Sequence, residues 1–199
     1  DRLRSRGLGD VYKRQDVYMD IKKRTNGEIY FGVVGPVRTG KSTFIKRFME
    51  LCVLPSMKDD NKRKRAQDEL PQSSGGTTVM TVEPKFIPSE AALISPFEGI
   101  NMKVRLVDCV GFMVEGANGH LDNGKERMVK TPWDTKEIAF SKAAEIGTKK
   151  VINDHSTIGI VVTTDGSFTE IDRTNYVAAE KKTINELKKI NKPFVVILN

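Results

Sequence analysis

Short apolar runs alternate with amphipathic helical segments along this chain. Strands are predicted at three apolar runs, which are 28–34 (EIYFGVV), 158–164 (IGIVVTT) and 194–198 (FVVIL). Helical periodicity predicts helices at 41–52, 138–152 and 176–190. Near-continuous apolar strands that alternate with helices are typical of a parallel sheet with helices on both faces. The pattern therefore predicts an α/β protein.

One antiparallel hairpin is predicted after the first helix. Residues 83–87 and 91–94 are strand-like but are interrupted by Pro84 and Pro88, so they predict an edge strand at best. Residues 102–107 (MKVRLV) alternate apolar and basic positions and predict the partner strand. The sheet is therefore expected to be mostly parallel with one antiparallel strand.

The remaining segments are polar. Residues 58–69 predict a solvated loop or an exposed helix, and the Gly-, Ser- and Thr-rich residues 72–82 predict a mobile loop. Residues 112–138 form a long polar connection, which is unusual inside a compact domain and tends to be functional. Trp133 within this connection is interpreted as a packing anchor.

The net charge is +7 over 199 residues, and +3 of it lies in residues 1–15. Residues 1–15 hold five basic and two acidic residues without an apolar period, so we interpret them as an artefactual or disordered tail. A basic arm that contacts nucleic acid is the alternative, although no nucleic-acid partner is predicted. Residues 16–199 are then expected to form one domain, which begins with a short helix at 16–25.

The cysteines, the histidines and the lengths of the apolar runs indicate which classes of protein and metal site this sequence excludes. No apolar run approaches the ~18 residues of a membrane-spanning helix. Cys52 and Cys109 lie in apolar contexts that suit free thiols in a reducing compartment. His120 and His155 lack further ligands at zinc-site spacing. We therefore predict a cytoplasmic protein without a transmembrane segment or a zinc site.

Residues 35–42 (GPVRTGKS) match the complete G-x-x-x-x-G-K-S phosphate-binding motif between a predicted strand and a predicted helix. In such a loop the glycines let backbone N–H groups and the helix N-terminus surround anionic oxygens. Lys41 is expected to contact the β- and γ-phosphates, and the Ser42 hydroxyl is expected to ligate Mg²⁺. The predicted nucleotide-binding residues are Gly35, Pro36, Val37, Arg38, Thr39, Gly40, Lys41, Ser42, Thr43 and Gly111.

A second motif, Asp108-Cys109-Val110-Gly111, follows the strand that ends at Val107. A carboxylate at the carboxyl edge of such a strand is where nucleotide-binding α/β folds hold Mg²⁺, so Asp108 is the predicted metal ligand. Gly111 would let its backbone N–H approach a γ-phosphate. The element order, from strand, phosphate loop and helix through the hairpin to helix, strand, helix and strand, predicts the Ras-like arrangement of P-loop NTPases.

Two parts of the expected catalytic machinery are less well defined by the sequence. A threonine of the 72–82 loop is expected to complete the Mg²⁺ shell and sense the γ-phosphate; Thr77, Thr78 and Thr81 are candidates, and Thr81 is favoured because it precedes Glu83-Pro84. Phe112 follows Gly111 where Ras-like enzymes place a water-positioning glutamine, and a phenyl ring cannot hold water. Arg38, Arg173 or an arginine of a neighbouring subunit are candidate charge stabilisers.

From about residue 16 to residue 199 the sequence resembles the nucleotide-binding domain of the stage IV sporulation protein A family. The resemblance extends beyond the phosphate loop to RAQDELPQSSGG, TVEPKF, VRLVDCVG, AAEIGTKKVI, DHSTIGIVVTTDGS and NKPFVVILN. It implies a Mg²⁺-dependent ATPase whose hydrolysis drives assembly of a homopolymer, the basement layer of the spore coat. The implied location is the mother-cell cytoplasm at the outer forespore surface, and the implied partners are a small amphipathic membrane-bound peptide and spore coat proteins.

By the same motifs the resemblance implies catalytic roles for Lys41, Thr81 and Asp108, and metal ligation by Ser42, Thr81 and Asp108. The family usually has paired threonines before Glu-Pro, whereas this chain has Thr81-Val82. The family's further domains are absent from the sequence, so it is expected to be a fragment. A GTPase switch or assembly factor and a nucleotide-bound scaffold without hydrolysis are the alternatives.

Overall fold

The computed structural model describes residues 27–71, 82–97, 100–122 and 124–199. Four predictions fall outside these residues. They are the tail at 1–15, the short helix at 16–25, the mobile loop at 72–82 except for Val82, and the threonine candidates Thr77, Thr78 and Thr81.

A five-stranded sheet forms the centre of the described fold, with strand order β2-β3-β1-β8-β9. The strands of this sheet are β1 (Glu28–Val34), β2 (Lys85–Phe97), β3 (Ile100–Asp108), β8 (Ile158–Thr163) and β9 (Phe194–Leu198). β1 pairs in parallel with β3 and β8, and β8 pairs in parallel with β9. β2 pairs antiparallel with β3 at the edge of the sheet, as the hairpin predicts.

The helices of the described residues are α1 (Lys41–Phe48), α2 (Asp60–Asp68), α3 (Phe140–Lys150) and α4 (Arg173–Lys189). α1 continues through a π-helical turn at Met49–Val53, and α3 continues through another at Val151–His155. The Asp59 side chain caps α2 by accepting hydrogen bonds from the Asn61 and Lys62 N–H groups. The residues of α2 are exposed except for Ala66. The predicted exposed helix is thus present.

Helices cover both faces of the sheet because successive strand residues point to opposite sides. In β1, Val33 packs into one core together with Ile45 of α1, while Val34 packs into a second core together with Tyr176 of α4. All four side chains are fully or almost fully buried. This confirms a mixed α/β protein with a mostly parallel central sheet.

Residues 112–139 contain regular structure that the sequence pattern does not predict. Two small antiparallel hairpins form there, with strands β4 (Leu121–Asp122), β5 (Lys125–Glu126), β6 (Met128–Thr131) and β7 (Asp134–Ala139). Trp133 lies in the turn between β6 and β7, and its ring is 3.7 Å from a Cβ built on Gly147 of α3. The interpretation of Trp133 as a packing anchor is consistent with this contact.

The other differences concern boundaries. β2 is one strand with a register shift between Ile87 and Ala92, rather than two short pieces, because the extra residues around Pro88 are accommodated by the irregularity. α4 begins at Arg173, three residues before the predicted start, since the Asp172 side chain caps the helix by accepting a hydrogen bond from the Thr174 N–H. Within the described residues, no helix has both the length and the apolar composition to cross a membrane.

Candidate nucleotide-binding site

The carboxyl ends of β1 and β3 meet at one edge of the sheet, where two loops face each other. We call residues 35–42 the phosphate loop and residues 108–112 the acidic loop. Ligands of open α/β sheets bind in the crevice outside the carboxyl ends of the strands. The topology therefore brings the two predicted motifs to the same place.

Glycines at both ends of the phosphate loop have backbone conformations that L side chains rarely adopt. Gly35 has φ +139°, and a Cβ there would lie 2.3 Å from the Val162 carbonyl oxygen of β8. Gly40 has φ +89°, and a Cβ there would lie 2.4 Å from the Asn199 amide nitrogen. Contact with the β8 backbone therefore requires glycine at Gly35. At Gly40 the positive φ favours glycine, whereas the Asn199 side chain could shift to admit a Cβ.

The phosphate loop stabilises its own shape through its side chains. The Thr39 hydroxyl donates to the Pro36 carbonyl oxygen at 3.0 Å, and the Lys41 ammonium donates to the same oxygen at 2.5 Å. The Phe44 N–H donates to the Gly40 carbonyl at 2.8 Å, which begins α1 directly after the loop. Both Thr39 and Lys41 are buried.

The other predicted loop residues lie at the same place but differ in exposure. Pro36 and Val37 are buried, whereas the Arg38 side chain is exposed on a backbone with φ +58°. Thr43 is exposed in the first turn of α1. The N–H groups at the start of a helix bind anions, so the exposed end of the loop is where a phosphate chain would lie.

Asp108 and Ser42 join the two loops. The Ser42 hydroxyl donates to one Asp108 carboxylate oxygen at 2.9 Å, and the other oxygen of Asp108 is buried without a hydrogen-bond partner among the described residues. A buried carboxylate oxygen normally has a partner, so this one is a candidate ligand for a cation. Hydroxyl and carboxylate oxygens suit Mg²⁺, which also keeps waters and phosphate oxygens in its shell. The residues present therefore fit Mg²⁺.

Burial perturbs the charged groups of the site. Burial lowers the pKa of Lys41, and electrostatic interactions with Cys109 and Asp108 oppose this shift. Burial raises the pKa of Asp108, and this is opposed by the positive charge of Lys41 and by the hydrogen bond from Ser42. Strongly perturbed groups that share a cleft mark a candidate functional site. An anionic ligand and a cation would compensate Lys41 and Asp108 respectively.

The acidic loop is bound to the phosphate loop through backbone hydrogen bonds. The Phe112 N–H donates to the Gly35 carbonyl at 3.1 Å, and the Val37 N–H donates to the Phe112 carbonyl at 2.9 Å. Gly111 has φ +98°, and a Cβ there would lie 2.7 Å from the Lys41 ammonium nitrogen. Gly111 is therefore positioned beside the lysine that is expected to contact the γ-phosphate.

The Gly111 N–H itself points elsewhere. It donates to the Thr148 hydroxyl oxygen of α3 at 3.2 Å, and both groups are buried. The sequence predicts that this N–H approaches a γ-phosphate, but in this structure α3 holds it. Thr148 is not among the predicted site residues, because a threonine inside a helix carries no distinguishing signal in the sequence.

Phe112 lies where a water-positioning glutamine would be expected. Its side chain is 2 % exposed and packs in the second core, with the Lys182 ammonium 4.9 Å from the ring centroid. The ring is thus fixed between α3 and α4, beside an open groove lined partly by Ser141 and Ala179. It supplies no polar group to a water molecule.

The candidate charge stabilisers are placed differently. Arg173 forms an ion pair with Glu180 of α4 at 2.8 Å, and one of its terminal nitrogens is buried without a hydrogen-bond partner. Arg38 lies in the phosphate loop itself with its side chain exposed. Arg38 is thus next to the phosphate site, whereas the guanidinium of Arg173 is held by a carboxylate.

Asn199 is a further residue at the site that the sequence analysis does not assign. Its side-chain amide donates to the Thr39 carbonyl at 3.2 Å, and its backbone N–H donates to Thr163 of β8 at 3.0 Å. It therefore connects the end of β9 to the phosphate loop. An asparagine directly after a predicted core strand is the signal that indicates such a position.

The remaining predictions concern the two cysteines and the absence of a zinc site. Cys52 is exposed and Cys109 is buried, and both are free thiols. Burial raises the pKa of Cys109 to about 11. In the part of the chain that the structure describes, no group of three or more His, Cys, Asp or Glu side chains could hold a metal ion.

Comparisons with known proteins agree on one family. Residues 12–199 match the model of the family described as stage IV sporulation protein A, ATPase domain. The chain is 59 % identical over 184 residues to stage IV sporulation protein A of Clostridioides difficile (strain 630), covering 92 % of this chain and 38 % of that protein. It is 56 % and 54 % identical to the proteins of that name from Bacillus anthracis and Bacillus subtilis (strain 168), each over 187 residues, 94 % of this chain and 38 % of theirs.

Proposed function

This chain belongs to the stage IV sporulation protein A family, as its ATPase domain, and on that premise we propose that it binds and hydrolyses Mg²⁺-ATP to drive assembly of a spore coat layer. Nucleotide binding, ATPase and sporulation are the descriptions that the family supports directly. The proposal adds hydrolysis by this chain, its dependence on Mg²⁺ and its coupling to self-assembly.

The pair formed by Ser42 and Asp108 carries the proposal. A hydroxyl from the phosphate loop and a carboxylate from the end of β3 are hydrogen-bonded at 2.9 Å, and the second carboxylate oxygen is buried and unpartnered. With Lys41 buried beside them, one site contains donors for phosphate oxygens and acceptors for a cation. We infer a P-loop NTPase site from this combination.

Each residue has a defined part in the proposed reaction. The phosphate loop amides and Lys41 bind the β- and γ-phosphates and neutralise charge that develops on the leaving group. Ser42 and Asp108 would hold Mg²⁺, which would supply positive charge that offsets the negative charge of the transferred phosphoryl group. Thr81 is proposed as the γ-phosphate sensor and third metal-shell group from its motif position alone, since it lies outside the described residues.

The structure predicts slow turnover by the isolated chain. Phe112 is buried and offers no hydrogen bond to the attacking water. Unassisted switch enzymes hydrolyse at on the order of 10⁻³ s⁻¹ or below, and a stabilising arginine or water-positioning group from outside raises such rates by several orders of magnitude. We therefore propose that assembly supplies the missing group.

The wider function is proposed from the family. The chain spans 38 % of the length of the curated relatives it matches, so the activity of the whole protein involves further sequence. We propose that the whole protein forms a homopolymer in the mother-cell cytoplasm, at the outer forespore surface. Its proposed partners are a small amphipathic membrane-bound peptide and spore coat proteins.

The buried position of Phe112 favours one alternative function. A chain that retains Lys41, Ser42 and Asp108 but places a phenyl ring at the water-positioning site would bind nucleotide as a structural ligand without hydrolysing it. The buried Asp108 oxygen favours hydrolysis over this alternative, because a cation held there would offset the charge that develops during phosphoryl transfer.

The deciding experiment compares phosphate release from Mg²⁺-ATP and Mg²⁺-GTP by the full chain, with Lys41→Ala as the blank. ATP-selective release that is absent in the blank is the expected result. A preference for GTP would instead indicate a GTPase switch or assembly factor. Tight ATP binding without release, also under assembly conditions, would indicate the scaffold.

A further inference from the structure

The backbone N–H of Gly111 can donate a hydrogen bond to either of two acceptors, but only to one at a time. Gly111 lies so close to the Lys41 ammonium that a Cβ would approach it to 2.7 Å, so this peptide borders the place of the γ-phosphate. Its N–H nevertheless donates to the Thr148 hydroxyl at 3.2 Å. A single N–H cannot donate well both to a helix on one side and to a phosphate oxygen on the other.

Thr148 is well suited to hold this amide. The residue is fully buried, and its own hydroxyl hydrogen is directed to the Ala144 carbonyl at 2.8 Å, which leaves an oxygen lone pair for Gly111. The Cys109 thiol donates to the Val33 carbonyl instead, so the contact of Thr148 with the acidic loop is the one that Gly111 makes. The hydroxyl is thus an acceptor of fixed orientation rather than a rotating surface group.

α3 also contacts the segment that follows the proposed sensor threonine. A Cβ on Gly147 would lie 2.6 Å from the Val82 carbonyl oxygen, and Val82 packs in a small core with Phe140 and Ala144 of α3. Val110 of the acidic loop packs against the same core. α3 therefore contacts both the acidic loop and the segment that contains Val82.

We propose that Thr148 is a positioning residue for the nucleotide reaction. Its hydroxyl competes with the γ-phosphate for the Gly111 N–H, and release of that hydrogen bond accompanies triphosphate binding. A diphosphate lacks the group that would compete, so it leaves the bond to Thr148 in place. Thr148 thereby lowers the apparent affinity for the triphosphate specifically, because only a fraction of the protein presents the free amide.

The inference rests on the proposed nucleotide function, and one substitution separates the two. Thr148→Val keeps the shape of the side chain but removes the acceptor, so the Gly111 N–H gains by turning to a phosphate. A typical intramolecular hydrogen bond predicts that the ratio of the ADP dissociation constant to that of a non-hydrolysable ATP analogue rises about two- to tenfold. Thr148→Ser retains the acceptor and should keep the wild-type ratio.

Thr183 of α4 provides a matched control. It is also fully buried, and its hydroxyl donates to the Ala179 carbonyl at 2.8 Å, as Thr148 does to Ala144. Thr183→Val therefore imposes the same chemical change on a helix without touching the acidic loop. Its ratio of dissociation constants should equal that of the wild type.

Titration calorimetry of the full chain with Mg²⁺-ADP and with the Mg²⁺-bound β,γ-imido analogue of ATP tests the proposal. An unchanged or lower ratio in Thr148→Val, or an equal rise in Thr183→Val, would overturn the role of Thr148 while leaving the nucleotide function intact. Absence of nucleotide binding by the wild-type chain would overturn both.

A measurement on the wild-type chain keeps the proposal testable if Thr148→Val does not fold. The amide resonance of Gly111 should shift when the triphosphate analogue binds and remain nearly unchanged with ADP, because only the γ-phosphate competes with Thr148. Equal shifts with the two ligands would show that the Gly111 N–H does not exchange between them.

Discussion

The two loops of the candidate site acquire their shapes in different ways. The phosphate loop depends largely on its own residues, since Thr39 and Lys41 both donate to the Pro36 carbonyl and the loop leads straight into α1. The acidic loop depends on its surroundings. Asp108 accepts a hydrogen bond from the Ser42 hydroxyl, and the Gly111 N–H donates one to Thr148 of α3. One loop is therefore specified locally and the other by tertiary contacts.

This difference indicates that the two loops have different roles at the nucleotide site. Phe112 and Asn199 also hydrogen-bond the phosphate loop. Its internal bonds from Thr39 and Lys41 nevertheless help to keep the N–H groups in place, which suits the binding of the phosphate chain. A loop whose amide is held by a neighbouring helix can change partner when a ligand offers a better acceptor. We expect substitutions in the phosphate loop to affect binding of all nucleotides, and those around the acidic loop to affect discrimination and turnover.

The largest expected effect follows from removing the cation of the phosphate loop. Lys41→Met should weaken binding of both ADP and ATP by about 10- to 100-fold or more, because hydrogen bonds to charged groups contribute about 1.5–3 kcal/mol each. The free energy of unfolding without nucleotide should change by no more than about 1 kcal/mol, because loss of the hydrogen bond to the Pro36 carbonyl is offset by removal of a buried cation. Calorimetry and urea denaturation measure the two quantities, and a variant with wild-type ATP affinity would contradict the assignment.

Next in size is the effect of a side chain at the tightest point of the acidic loop. Gly111→Ala would place a Cβ 2.3 Å from the Gly35 carbonyl oxygen at φ +98°. Backbone strain and displacement of the loop should cost about 2–4 kcal/mol of unfolding free energy. Gly124→Ala is the matched control, because Gly124 has φ +77° but no atom within 4 Å of the added Cβ. Equal losses in the two variants would show that strain alone, rather than the contact between the loops, is responsible.

A smaller effect is expected where the two loops join. Asp108→Asn keeps the size of the side chain and an acceptor for the Ser42 hydroxyl but removes the charge that a cation needs. Phosphate release should fall at least tenfold at limiting Mg²⁺, with folding little changed because burial already disfavours the charged form of Asp108. A Mg²⁺ titration of the activity checks this. An unaltered Mg²⁺ response would assign the ion to another carboxylate.

The smallest expected effect concerns the thiol inside the acidic loop. Burial raises the pKa of Cys109 from 9.0 to about 11, so the folded protein keeps the thiol protonated where the unfolded chain does not. Its contribution to stability is complete below about pH 9 and is lost as the pH rises towards 11. A maleimide at pH 8 should therefore label the exposed Cys52 and spare Cys109. Equal labelling in the folded state would contradict the burial.

The contrast between the loops also explains what the sequence can and cannot predict. The range predicted for β1, 28–34, coincides with the strand, because an apolar run followed by glycine-rich loop chemistry is a local signal. β7 was not predicted because its first four positions, Asp134 to Glu137, are polar and exposed, so the strand has no hydrophobic alternation. It forms by pairing with β6, with Val129 opposite Ile138.

Some residues of the candidate site can likewise be predicted from the sequence, and others cannot. Lys41, Ser42 and Asp108 are recognisable because their spacing encodes their chemistry. Thr148 is not, since its importance depends on which loop the folded chain places against α3. A close approach of Gly111 to the phosphate site is expected from its residue type, whereas the orientation of its N–H towards Thr148 is a property of the tertiary structure.

The burial of Lys41 has a consequence for how the protein responds to its ligand. The ammonium is dehydrated when the chain folds rather than when nucleotide arrives, so the solvation penalty is already part of the folding equilibrium. A bound polyphosphate adds the missing counter-charge and stabilises only the folded state. Nucleotide therefore acts as a folding cofactor, and the thermal resistance of the protein would report the cellular nucleotide concentration.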